Sequence, residues 1–229
     1  MNADGGVVTD TVRWFNDPLN WQGPDGVWHL TAVHLWITFA AVLLAAVVSL
    51  PLGVWMGHRS RGGGIVVVIA NLSRAVPTLA LLTLFAVANL GFGNRPTILA
   101  LAVFAVPPLL ANAYIGVAEV DRDAKDAARG MGMSGMQVLR VVELPLAVPL
   151  IAAGLRTAVV QVCATASLAA LVAGGGLGVL INLGFSQRRF EQVLAGGLLI
   201  ALLCLVLEGL LALLQRAVTP EAFRRSSAS

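Results

Sequence analysis

The residues best suited to chemistry in this chain are its charged ones, and eight of them crowd into one stretch. Residues 120–144, VDRDAKDAARGMGMSGMQVLRVVEL, carry the acids Asp121, Asp123, Asp126 and Glu143 and the bases Arg122, Lys125, Arg129 and Arg140, although only 12% of the chain is charged. Each charge buried in hydrocarbon costs roughly 2.5–3.5 kcal/mol, so this stretch belongs in water. A charged run is most often a merely solvated face. The spacing here points instead to a surface that another molecule reads. No other constellation points to a reaction. Cys163 and Cys204 lie in apolar runs with no C-x-x-C. His29, His34 and His58 have no ligand spacing, and His58, beside Arg59 and Arg61, reads as an interfacial residue. The run Ala173-Gly174-Gly175-Gly176-Leu177-Gly178 follows no strand and lacks the Lys and Ser or Thr of a phosphate loop. The chain is therefore read as non-catalytic, with no metal site and no bound cofactor.

The elements that position the charged stretch follow from local rules. Residues 119–129 are strong helix formers, with acids early and Arg129 last, which suits the helix dipole. Gly130-Met131-Gly132 allows a sharp reversal. Ser134 with Gln137 three residues on reads as a capping box that starts a second helix, which presents Met136, Leu139, Val141 and Val142. Pro145 stops or kinks that helix. The expected unit is a helix–turn–helix.

The rest of the chain is a membrane protein. Of 229 residues 58% are hydrophobic, and the mean hydropathy is +0.84. The net charge of +3 does not indicate nucleic acid, because the bases are scattered over loop ends and are not massed on one face. Five spans are expected, at residues 29–56, 65–92, 97–117, 146–172 and 193–214, each long enough for about 30 Å of hydrocarbon. The second is irregular. Its residues 65–76 read as a short helix entering from the interface, with the kink at Pro77. Arg74 either snorkels to the headgroups or lines a path or partner contact. In the third, Pro107-Pro108 favours a protein- or water-facing site. In the fourth, Thr157, Gln161 and Thr165 share one helix face, which points to a path or partner, or else is polar glue between helices. The glycine cluster reads as non-helical backbone, and residues 179–185 as a hairpin arm. Residues 1–28 form a polar segment, probing the interface with Trp14, Phe15, Trp21 and Trp28; an aromatic cage for a cation is the lesser reading. Residues 29–215 form the membrane domain and 216–229 a tail.

The charged stretch resembles the coupling loop of permease subunits in bacterial ABC importers, E-A-A, three residues, G, nine residues, I-x-L-P. Asp126-Ala127-Ala128 stands for the triplet, Gly132 sits at the expected offset, Val142 replaces the isoleucine, and Leu144-Pro145 closes the motif. The stretches ARGMGMS, ELPLAVPLIAAGLRTA and ATASLAALVAGGGLG are similar to permeases of osmoprotectant importers for glycine betaine, choline or carnitine, over residues 30–214. The resemblance implies an all-α integral membrane protein, a type I ABC importer permease, in the bacterial cytoplasmic (inner) membrane. It implies two copies of an ATP-binding subunit, which hold the ATP and Mg. It further implies a second permease chain, identical or homologous, and an extracytoplasmic substrate-binding protein. Asp126, Ala127, Ala128, Arg129, Gly132, Val142, Leu144 and Pro145 would couple to the ATPase. Arg74, Pro77, Gln161, Thr165, Gly174, Gly175 and Gly176 would serve the path or its external gate. Placing the loop inside puts the amino terminus outside and the carboxyl terminus inside. Nine bases then lie inside (Arg59, Arg61, Arg122, Lys125, Arg129, Arg140, Arg216, Arg224, Arg225) and four outside (Arg13, Arg95, Arg188, Arg189), which agrees with the positive-inside rule. Another small solute such as an amino acid, or an ion-coupled secondary transporter, is the alternative.

Overall fold

Long apolar runs without paired turn signals fold as helices, and in lipid they must, because every backbone N–H and C=O has to be satisfied within the segment. The computed structural model describes residues 6–218, without the side chains of residues 71–75, 89 and 90. Arg74 as a side chain, and the tail bases Arg224 and Arg225, lie outside the described residues. In chain order the helices are α1 (Val7–Asn16), α2 (Val27–His58), α3 (Gly63–Ala75), α4 (Thr78–Phe85), α5 (Asn94–Ala118), α6 (Arg122–Gly130), α7 (Gly135–Val138), α8 (Leu144–Thr165), α9 (Gly178–Ser186) and α10 (Phe190–Val218). Among the described residues there is no strand.

Four helical stretches are long and apolar enough to cross a membrane: Val27–His58, Asn94–Ala118, Gly135–Val172 and Phe190–Val218. The expected second span differs from these. It is split into α3, of 13 residues, and α4, of 8, with Pro77 as the cap of α4. At 1.5 Å per residue neither piece alone covers about 30 Å. Pro107 and Pro108, by contrast, leave α5 continuous.

Pro145 neither stops nor breaks its helix. Its ring would press on the carbonyl four residues back. A π-helical turn at Leu139–Glu143 widens the helix there, and the chain runs on from α7 into α8. At its far end α8 tightens into a 3₁₀ turn, Ala166–Val172, and stops at Ala173, whose φ is +57°. The segment after the glycines is helix α9, which turns over residues 187–189 into α10, so the expected hairpin arm is a helical one. At Gly184 a Cβ would meet Val193 Cγ2 at 2.7 Å, so a glycine lets α9 pack closely on α10.

The chain divides into two units. The first comprises Met1–Val42, Pro77–Val103 and Val160–Leu207, and the second comprises Leu43–Val76, Phe104–Val159 and Glu208–Ser229. In the first, Trp14 of α1 is buried in a core with Val27, Leu30, Leu177, Leu180 and Ala195. The amino-terminal segment is thus folded onto its own unit through Trp14. Phe15, Trp21 and Trp28 continue outward as a chain of ring contacts, with centroids 6.3 and 5.3 Å apart. In the second, α2 and α5 approach backbone to backbone. A Cβ at Gly53 would meet Leu110 O at 2.8 Å, and one at Gly57 would meet Tyr114 O at 2.7 Å. That Gly-x-x-x-Gly spacing is the small-residue seam of helices packed in lipid.

Candidate coupling element and gate turn

The element read from the sequence as a helix–turn–helix is assembled by its own side chains. Asp121 caps α6, its Oδ1 accepting from the Asp123 N–H at 2.8 Å. The helix therefore starts at Arg122, later than residue 119, because the capping carboxylate outcompetes one more helical turn. Arg129 Nη1 lies 3.0 Å from Asp126 Oδ1. The reversal is made by Gly132, with φ +84°, while the Met133 N–H donates to Ala128 O at 3.2 Å. This αL ending satisfies the last carbonyls of α6. The Ser134–Gln137 capping box is present in both directions and starts α7.

One face of this element is in water and the other is inside the second unit. Asp126, Ala127, Arg129, Gly132 and Pro145 are exposed, and Met131 and Met136 expose 72% and 55% of their surface. Val142 and Leu144 are half-buried. Ala128 is buried and packs inward, one helical step behind the exposed Ala127. Val138 is also buried.

The buried face holds a charge cluster that sequence reasoning missed. Glu143 is 1% exposed and lies in the π-helical turn. The His58 Nδ1–H donates to its Oε2 at 2.5 Å. Lys125 Nζ, also buried, stands 3.6 Å from its Oε1 and donates to the carbonyls of Val117 (3.0 Å) and Ala118 (3.4 Å) at the end of α5. A cation suits a helix C-terminus. His58 is therefore not an interfacial bystander but the partner of a buried carboxylate. The signal available was slight: a lone Glu in the otherwise apolar run Val-Val-Glu-Leu-Pro.

In the first unit the glycine cluster forms a latched turn. Gly174 and Gly176 are buried and Gly175 is half-buried. Asn94 Oδ1 accepts from the Gly175 N–H at 2.8 Å. His34 is wholly buried and uses both nitrogens: Nδ1 accepts from the Leu177 N–H at 3.3 Å, and the Nε2–H donates to Cys163 O at 2.8 Å. Those partners fix the tautomer. His34 and Asn94 were not anticipated, because each meets its partner across a long stretch of chain. Pro77 and Gln161 are exposed, and the Thr165 hydroxyl donates to Gln161 O at 2.8 Å on its own helix.

Elsewhere in the second unit, Arg156 Nε lies 3.2 Å from Glu208 Oε1, and its Nη1 donates to Gln215 Oε1 at 2.9 Å. These apolar-span charges are paired with each other, as intramembrane charges must be.

The model of the family described as binding-protein-dependent transport system inner membrane component matches residues 49–220. The glycine betaine/carnitine/choline transport system permease protein OpuCB of Bacillus subtilis (strain 168) is 36% identical over 194 residues, covering 85% of this chain and 89% of that protein. The osmoprotectant import permease protein OsmW of Salmonella typhimurium is 36% identical over 219 residues, covering 94% of this chain and all of that protein. Among solved structures, an inward-facing form of the MetNI methionine ABC transporter superposes with a TM-score of 0.73 at 24% identity, covering 85% of this chain and 95% of that one. That likeness concerns the fold alone.

Proposed function

We propose, since the chain belongs to the family of binding-protein-dependent transport system inner membrane components, that it forms the membrane path of an ATP-driven importer for compatible solutes such as glycine betaine, choline or carnitine. As a family member it is a multi-pass inner-membrane subunit that works with an ATPase and a substrate-binding partner. The observation that carries the finer reading is the α6–α7 element, a capped and rigid unit with one face buried and the other offering Asp126, Ala127, Arg129, Met131 and Met136. An ATPase groove would take that face. The small Ala127 permits close approach, and Gly132 sets the angle between the helices. Arg129 and Asp126 give charges that hydrogen bonds can read.

In this account two permease chains, identical or homologous, frame the path, and two ATPase subunits hold the ATP and Mg beneath them. Closure of the ATPase pair pushes the α6–α7 element and rocks the spans between inward- and outward-open states. The amino terminus and α1 lie outside with the binding protein, and the carboxyl terminus lies inside. The latched turn at Gly174–Gly175–Gly176 closes the outer end of the path, with Pro77, Gln161 and Thr165 along it. The solute class comes from the names of the relatives, which include permeases for choline and for carnitine.

Uptake of labelled glycine betaine under high salt tests the reading, in cells with the full transporter with or without this chain, with excess choline and carnitine as competitors. Uptake is expected to disappear without the chain and to be reduced by the competitors. Unchanged uptake, with the other subunits present, would send the assignment to a different solute.

A further inference from the structure

A coupling element moves a transporter only if its motion reaches the spans, and one contact set in the second unit joins it to three of them. Lys125 projects from α6 and grips the last carbonyls of α5, Val117 O and Ala118 O. It faces Glu143 in the turn that leads into α8. Glu143 holds His58, the last residue of α2. The end of α2 and the start of α8 thus meet at one carboxylate, and Lys125, which faces it, holds the end of α5. Glu143 and Lys125 are both buried. Burial at this depth keeps water from screening the charges, so each retains a strong hold on the others.

The geometry also leaves room for a step. Glu143 Oε1 accepts no hydrogen bond among the described residues, and Lys125 Nζ stands off from it at 3.6 Å. A charge-assisted hydrogen bond closes at about 2.7–2.9 Å. A shift of α6 of less than about one ångström therefore exchanges an open contact for a closed one. The π-helical turn that carries Glu143 is the kind of local irregularity that recurs at functional sites. We propose that Lys125, Glu143 and His58 form a transmission joint: they are positioning residues that hand the movement of α6 to α2, α5 and α8, with the Lys125–Glu143 contact closing as the ATPase displaces α6. This rests on the reading of the chain as an ABC permease that docks its ATPase through α6 and α7.

The test uses the whole transporter (permease, ATPase and binding protein) in proteoliposomes, with ATP hydrolysis and glycine betaine uptake measured per assembled complex. Lys125→Met and Glu143→Gln are expected to lower uptake per ATP hydrolysed by about tenfold while basal hydrolysis stays within about twofold, and Lys125→Arg is expected to retain about half or more. A merely structural role would lower the amount of assembled complex and leave solute per ATP unchanged. Wild-type solute per ATP in assembled Lys125→Met and Glu143→Gln complexes would overturn the proposal. Should those variants not assemble, His58→Leu against His58→Gln decides by the same ratio. A loss with Leu that Gln restores supports the joint, and equal wild-type ratios overturn it. Absence of ATP-driven uptake by the wild-type complex would instead sink the functional reading on which the joint rests.

Discussion

Replacing Gly132 with aspartate is expected to abolish solute uptake while leaving the chain in the membrane at near-normal abundance. Gly132 makes the reversal between α6 and α7 at φ +84°. A Cβ there would meet nothing within 4 Å, so the position has space. Its cost is conformational, about 1–2 kcal/mol for an L-residue in the left-handed region, and aspartate is among the residues that visit that region most readily. The fold should therefore survive. What does not survive is the surface. The new carboxylate stands in water beside Met131, on the face proposed to enter the ATPase, where an unpaired charge buried in an interface costs far more than the backbone strain. Gly132→Asn serves as control, because asparagine tolerates the same φ without the charge. Uptake, ATPase activity and abundance measured together separate the cases. Wild-type-like uptake by Gly132→Asp at normal abundance would refute the assignment of this surface.

The second large effect is expected at Gly178. Its α-carbon abuts the 3₁₀ turn so closely that a Cβ would collide with the carbonyl oxygen of Ser167, a backbone atom that cannot rotate away. Overpacking of this kind costs typically about 1–3 kcal/mol and occasionally more. The strain would fall on the neighbouring latch as well, since Leu177 is the residue whose N–H His34 holds. Gly178→Ala should lower the thermal midpoint of the purified chain in detergent and reduce uptake. Gly197→Ala on α10, where a Cβ meets nothing within 4 Å, should be neutral or stabilise by up to about 1 kcal/mol. Equal midpoints for the two variants would contradict the packing described for α9.

What could be read from the sequence was local. The capping box at Ser134 and Gln137, the break at Pro77 and the non-helical glycines all depend on residues a few positions apart, and the structure has each of them. The family was legible for a related reason: its motif is a set of fixed spacings within twenty residues. The misreadings came where distant chain decides. Residues 179–185 read as a hairpin arm, but that the arm is helical and packs against Val193 at Gly184 is not visible locally. At Pro145 a stop and a kink were both open, because the π-helical turn that absorbs it has no signature in composition. Ala127 and Ala128 are alike as letters, yet one is exposed and the other buried. His58 and Glu143 are 85 positions apart, and His34 and Leu177 are 143. No spacing rule would have paired them.

The central claim, that the exposed face of α6 and α7 is where an ATPase subunit docks, is tested most directly by site-specific cross-linking of the assembled complex. Ala127→Cys and Met136→Cys, each on the exposed face, should cross-link to the ATPase subunit with a short thiol reagent, whereas Ala128→Cys, one residue away and buried, should not. Cross-linking from Ala128 but not from Ala127, or from none of the three in a complex that hydrolyses ATP and transports, would contradict the account.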